Sequence, residues 1–256
     1  MSGVVQLGRL FGIEVRIHFS WVFVFLLVAW SLATRYLPTE YPGWTKSAYW
    51  WVGSLASLLL FASVLVHELS HSLVARAKGR KIRGITLFFL GGVSEIEEES
   101  ANPGEEFLVS VVGPATSFVL AAVFWAVFIA ASPSSSKVQA IAGYLGFINL
   151  VLGAFNLLPA FPLDGGRVLR AVVWKVTGSP SKANAVASTT GSLAGFAFIA
   201  MGILFVFAAS LINGLWFIFI GWFIQSSASS FARQQIVSRA LSGKTVRDAM
   251  VQDLPV

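Results

Sequence analysis

The chain has 256 residues, 56% of them apolar and only 12% charged, with a mean hydropathy of +0.76. A water-soluble domain of this length has no use for so much apolar surface, so the composition describes a multi-span membrane protein. The net charge of +6 sits on residues that flank apolar runs and form no single patch, which argues against a nucleic-acid partner. There is no cysteine, so disulfides and thiolate metal ligands are both excluded.

Residues 1–17 are mixed in polarity and are expected in the cytosol; they show neither the apolar core nor the small-residue cleavage site of a signal peptide. His18-Phe19-Ser20-Trp21 opens a first apolar span over about 18–37, with His18 and Trp21 as interfacial anchors. A loop over 38–47 (Pro38, Pro42, Gly43) leads to a second span over about 48–75. Near its end stands His67-Glu68-Leu69-Ser70-His71. On a helix, positions i and i+4 share a face, so His67 and His71 can grip one ion while Glu68 is placed to work on water. The same pattern occurs by chance on solvated helices of soluble proteins. Here there is no solvated face for it, and charged groups inside an apolar span mark function by default. Arg76, Lys78, Arg80, Lys81 and Arg83 follow at once, which places the histidines ~7–14 Å inside that boundary at 1.5 Å per residue.

Ile85–Leu90 and Val93–Glu97, split by Gly91-Gly92, predict a short β-hairpin between the second and third spans. It is either an ordinary connection or an edge that pairs with an extended substrate strand. Glu97-Glu98-Glu99 and Glu105-Glu106 read as solvated. A third span covers about 104–132, where Gly113-Pro114 reads as helix packing or a kink without chemistry. A fourth covers about 140–158 and breaks at Pro159 and Pro162. A fifth covers about 183–209, with Gly191-xxx-Gly195 as a close-packing motif, and a sixth covers about 211–231. Six helices place both termini on one side. That side holds fifteen of the 18 Lys and Arg residues, so both termini are expected in the cytosol and the histidine site near the cytosolic face.

Phe155–Arg167 is the second constellation. Asp164 and Glu68 read as the only carboxylates set among the apolar spans, and nineteen helical residues (~28 Å) from an outer start near Ala140 bring Asp164 to the depth of the histidines. Catalytic zinc commonly has three protein ligands and one open position, which His67, His71 and Asp164 satisfy. Glu68 is then the general base. Asn156 either donates to an oxyanion or substrate backbone or makes an interhelical polar contact. Arg167 is a site residue or a snorkelling anchor.

His67-Glu68-Leu69-Ser70-His71 together with Asn156, Pro159 and Pro162-Leu163-Asp164-Gly165-Gly166 resemble the site-2 protease family of intramembrane zinc metalloproteases; Gly91-Gly92-Val93 and Gly113-Pro114 are similar to its intervening segments. The resemblance covers about residues 10–232. It implies one Zn2+ per chain on His67, His71 and Asp164, Glu68 as catalytic acid/base, and Asn156 beside the site. It also implies hydrolysis of peptide bonds in membrane-spanning substrates, single-pass proteins above all, often after a first cut by another protease. Lys244–Val251 is similar to the opening of a CBS domain, as in a six-span branch of that family, and the chain stops at Val256 far short of one. The expected organisation is therefore a transmembrane metalloprotease domain over 1–232 and a cytosolic tail over 233–256, in an α-helical polytopic protein that admits homo-oligomerisation. The rivals are a metal-ion transporter or channel built on the same four side chains, and a non-catalytic scaffold, against which the intact Glu68 and ligand set argue.

Overall fold

The boundaries of the long helices follow from local chemistry. In the computed structural model, which describes residues 3–89, 91–96, 100–132, 135–208 and 210–241, two strands, β1 (Val4–Leu10) and β2 (Ile13–His18), precede α1 (Ser20–Ser31). Helix α1 runs on through a π turn (Leu32–Tyr36) and α2 (Leu37–Glu40), so Pro38 lies inside the first span, where an early helical position suits its fixed φ. The Thr45 hydroxyl accepts from the Ala48 amide at 3.3 Å and starts α3 (Lys46–Ala77). Strands β3 (Ile82–Phe88) and β4 (Gly91–Ile96) come next. Asn102 caps α4 (Pro103–Ala130) by accepting from Glu105 N at 2.9 Å, with Pro103 opening the first turn and two glutamates favoured there by the helix dipole. Then come α5 (Ser136–Asn156), α6 (Asp164–Thr177), α7 (Pro180–Ala208) and α8 (Leu211–Leu241).

Among the described residues six helices are long and apolar enough to cross a membrane: Ser20–Glu40, Lys46–Ala77, Pro103–Ala130, Ser136–Asn156, Pro180–Ala208 and Leu211–Gln234. Their outer faces carry large apolar side chains that only lipid can cover, such as Phe207 at 86% exposure, Ile129 at 81% and Ile212 at 77%. The chain is a multi-pass, α-helical membrane protein with a small sheet, as the sequence implied.

The sheet is larger than a hairpin. Its order is β1-β2-β3-β4, with β2 and β3 parallel and the two outer pairs antiparallel. The sequence pattern named no element in the polar-mixed N-terminus. Phe11 (φ 49°) and Gly12 (φ 78°) nevertheless close a two-residue turn there, the hairpin connection that needs positive φ at both positions. Ile13, Leu69 and Ile85 form a buried cluster with Leu65, Leu73 and Ile82, which seats the sheet on the histidine-bearing half of α3. Strand β4 is an edge, beside α3.

Two further readings are corrected. Residues 163–182, where the sequence pattern named no element, contain α6; its cations Arg167, Arg170 and Lys175 hid an amphipathic helix from an apolar count. Glu105 and Glu106, read as solvated, are buried in ion pairs with Arg80 and Arg170. Glu97-Glu98-Glu99 and the Lys244–Val251 segment lie outside the described residues.

The glycine motif of the fifth span packs as expected. A Cβ at Gly191 would fall 3.0 Å from Ala228 Cβ, and one at Gly195 would fall 2.6 Å from Gln225 Cβ and 2.8 Å from Gly221 O. Gly195→Leu is therefore expected to lower stability by about 1–3 kcal/mol through overpacking. Phe207→Leu on the lipid face should stay within about 0.5 kcal/mol of wild type. Thermal midpoints of the two variants in detergent check this.

Candidate metal centre

Three helices meet at one point. His67 and His71 stand one turn apart on α3, and Asp164 is the first residue of α6. His67 Nε2 lies 3.1 Å from Asp164 Oδ2, His71 Nε2 lies 3.2 Å from the same oxygen, and the two Nε2 atoms are 3.2 Å apart. Among the described residues this is the one group of three such side chains close enough to share an ion. A tetrahedral Zn2+ with bonds of about 2.0–2.1 Å spaces its ligand atoms about 3.3–3.4 Å apart, so the triangle fits zinc closely.

A carbonyl fixes the tautomer of one imidazole, and a hydroxyl anchors the other. His71 Nδ1 is 2.5 Å from Val109 O, and a carbonyl can only accept, so the proton is on Nδ1 and the Nε2 lone pair is free. His67 Nδ1 is 2.9 Å from Ser117 Oγ, which gives that ring the matching anchor. Val109 and Ser117 both belong to α4, and Gly113 lies midway between them. A Cβ at Gly113 would fall 2.7 Å from His67 Nε2 and closer still to His71 Nε2. Packing is indeed the role of Gly113, but what it packs against is the pair of metal-site imidazoles.

Glu68 turns toward the sheet. Ser94 on β4 donates to Glu68 Oε2 at 3.0 Å, and Ser72 donates to Ser94 at 3.1 Å. A Cβ at Gly92 would fall 3.0 Å from the Glu68 carboxyl carbon, so the paired glycines make room for the carboxylate as well as the turn. Asp164 reaches the histidines because α5 ends at Asn156, after which residues 157–163 turn the chain back before α6 begins. The turn is tight: a Cβ at Gly165 would collide with the Leu157 and Leu158 carbonyls, and one at Gly166 with the Ala160–Phe161 backbone. Asn156 donates to Leu152 O within its own helix at 3.0 Å, so neither reading of its side chain corresponds to a contact seen here. An interhelical contact of the kind expected is made instead by Asn149, which donates to Ser63 of α3 at 3.2 Å. His18 is 2.8 Å from Ser20 Oγ at the start of α1, away from the centre.

A zinc-shaped triad set among membrane spans is the arrangement a membrane metallopeptidase needs. A model of Peptidase family M50 matches residues 55–134 and 129–202. The chain is 40% identical over its whole length to the Synechocystis protein named "Putative zinc metalloprotease sll0528", of which it spans 67%. It is 38% identical over 98% of its length to "Putative zinc metalloprotease Rip3" of Mycobacterium tuberculosis, of which it spans 64%. It also superimposes on the site-2 protease from Methanocaldococcus jannaschii with a TM-score of 0.59 and 25% identity, covering 99% of this chain and 98% of that one. The chain belongs to Peptidase family M50, and that membership sets the ion-carrier reading aside. It spans about two thirds of the length of the curated relatives it matches.

Gly113→Ala is expected to cost at least about tenfold in zinc affinity, because both rings must move, while leaving the helix content unchanged. Elemental analysis beside far-UV circular dichroism checks this.

Proposed function

We propose that the chain is the catalytic membrane domain of an intramembrane zinc endopeptidase, with His67, His71 and Asp164 holding one Zn2+ and Glu68 as general acid/base. The observation that carries this is the triangle of 3.1, 3.2 and 3.2 Å drawn by three atoms up to 97 residues apart in sequence. Zinc bound there supplies the Lewis acidity that polarises a carbonyl and makes water a nucleophile at neutral pH. Glu68 accepts the proton from the attacking water and passes it to the leaving amine. Ser94 holds one carboxylate oxygen by its hydroxyl and leaves the other for that transfer. Asn156 is assigned to the oxyanion or substrate backbone, a role that needs it to exchange its Leu152 partner when substrate is present.

Strand β4 supports a substrate-binding role, since an edge strand beside Glu68 offers its outer backbone to an extended peptide. A transmembrane helix must unwind before it can pair this way, because its backbone groups are already bonded to one another. The substrates are membrane proteins, and we assign the single-pass class. The distribution of Lys and Arg supports cytosolic termini and a centre near the cytosolic face. The organisation into a catalytic domain over 1–232 and a tail over 233–256 that begins a CBS domain rests on the Lys244–Val251 resemblance, and self-association is left to measurement.

Glu68→Gln is expected to keep about one zinc per chain and lose at least about a hundredfold in turnover. Asp164→Ala and His67→Ala are expected to bind zinc far more weakly and to lose it on purification. Elemental mass spectrometry of the three purified variants, beside cleavage of a reporter transmembrane peptide, tests the reading; zinc retained at wild-type affinity without Asp164 would overturn the ligand set. For any cleaved substrate, replacing helix-weakening residues near the scissile bond by leucine is expected to slow cleavage at least severalfold. An unchanged rate would show that unwinding is not required.

A further inference from the structure

Two adjacent carboxylates leave the first turn of α4 in different directions. Glu105 Oε1 accepts from Arg80 Nε at 2.6 Å, in the segment that follows α3. Glu106 Oε1 accepts from Arg170 Nη1 at 2.5 Å, on α6. Arg170 Nε also donates to Asn184 Oδ1 of α7, and its guanidinium lies 5.7 Å over the ring of Trp174. These side chains are almost wholly covered: Glu106 is 1% exposed, Arg170 7%, and Arg80 and Glu105 8% each. Helix α3 bears both histidines and α6 begins with Asp164, so one turn of α4 is tied to α6 and to the segment that leaves α3. One turn further on, the same helix presents Val109 O to His71.

The pair also borders the loop that delivers Asp164. Glu106 Oε2 has no partner among the described residues. Glu106 and Arg170 line a cavity of about 260 Å3 together with Phe161, Pro162 and Arg167. Helix α6 is only 14 residues long and is not among the spans, so its contacts with neighbouring helices bear on its rotation. A guanidinium that holds α4 on one side and α7 on the other fixes it, because the fork bonds in set directions.

We propose that Glu106 and Arg170 form a positioning pair for the metal centre, setting the rotation of α6 on α4 and hence the place of the Asp164 carboxylate against the imidazoles. The inference rests on the ligand set proposed above and assigns neither residue a contact with metal or substrate. A buried ion pair that merely stabilised the bundle would leave zinc affinity untouched.

The test is a double-mutant cycle on the full chain in detergent, reading zinc affinity by competition with a chelator of known strength. Arg170→Lys keeps the charge and loses the fork. The double variant Glu106→Gln, Arg170→Gln removes both charges together, so neither is stranded in the interior, and it carries the test should the lysine variant not fold. Both are expected to bind zinc about ten- to a hundredfold more weakly. Arg170→Lys is expected to add nothing to the loss already caused by Asp164→Ala, since it acts through that residue. Zinc affinity within twofold of wild type would overturn the pair's role, even with a lowered thermal midpoint, and so would a loss that adds in full to that of Asp164→Ala. If Asp164→Ala alone binds zinc like wild type, it is the ligand set that fails, and the two failures are told apart by that single variant.

Discussion

The hydrogen bond from His71 Nδ1 to the Val109 carbonyl decides what the rest of the molecule can do. A neutral imidazole has one protonated and one free nitrogen, and the carbonyl admits only the proton. The free Nε2 then faces Asp164 and the other imidazole, and when the Ser117 hydroxyl accepts from His67 Nδ1, three acceptor atoms lie within 3.2 Å of one another. Three lone pairs so close are unfavourable unless a cation lies among them. Ion binding and correct folding of this corner are therefore coupled, as at metal sites generally.

Helix α4 acts as the ruler for this corner. Glu105, Val109, Gly113 and Ser117 recur every four residues along one face, and each meets a different part of the ligand shell: an arginine behind α3, one imidazole, the gap between both, and the other imidazole. The spacing works because α4 lies against α3 with nothing larger than a glycine at the point of closest approach. In lipid, such contact cannot rely on the hydrophobic effect, since acyl chains are as apolar as the side chains. Small residues, hydrogen bonds and buried pairs carry the association, and Ser110, Ser117 and Asn149, all fully buried, fit that pattern.

The same physics separates what the sequence discloses from what it withholds. His67, Glu68 and His71 are legible because three chemically costly groups at helical spacing seldom survive inside an apolar run without a chemical role. Asp164 is legible by topology, as a carboxylate returning to the same depth. The six spans follow from hydropathy, and the β3–β4 hairpin from Gly91-Gly92. The shell around the metal is not legible. One partner is a backbone carbonyl, two are serines among many, and Gly113 carries its meaning in an atom it lacks. Its four-residue spacing from Val109 and Ser117 is the available signal. Helix α6 and the buried glutamates escape a sequence reading for one shared reason: a charge ordinarily marks solvent, and here Glu106 and Arg170 are each other's solvent.

The arrangement of Glu68 completes the logic. On the proposed assignment, metal ligands and base share one turn of α3, and the base must stay off the metal or it would be spent as a ligand. The i, i+1 spacing sends the Glu68 side chain about 100° around the helix from His67. Strand β4 holds it there through Ser94, while Gly92 leaves it space. The edge strand thus orients Glu68 with one side chain. Under the proposed function, a peptide that paired with β4 would come into register with the group assigned to the proton, so that six residues, Gly91–Ile96, would align binding with chemistry.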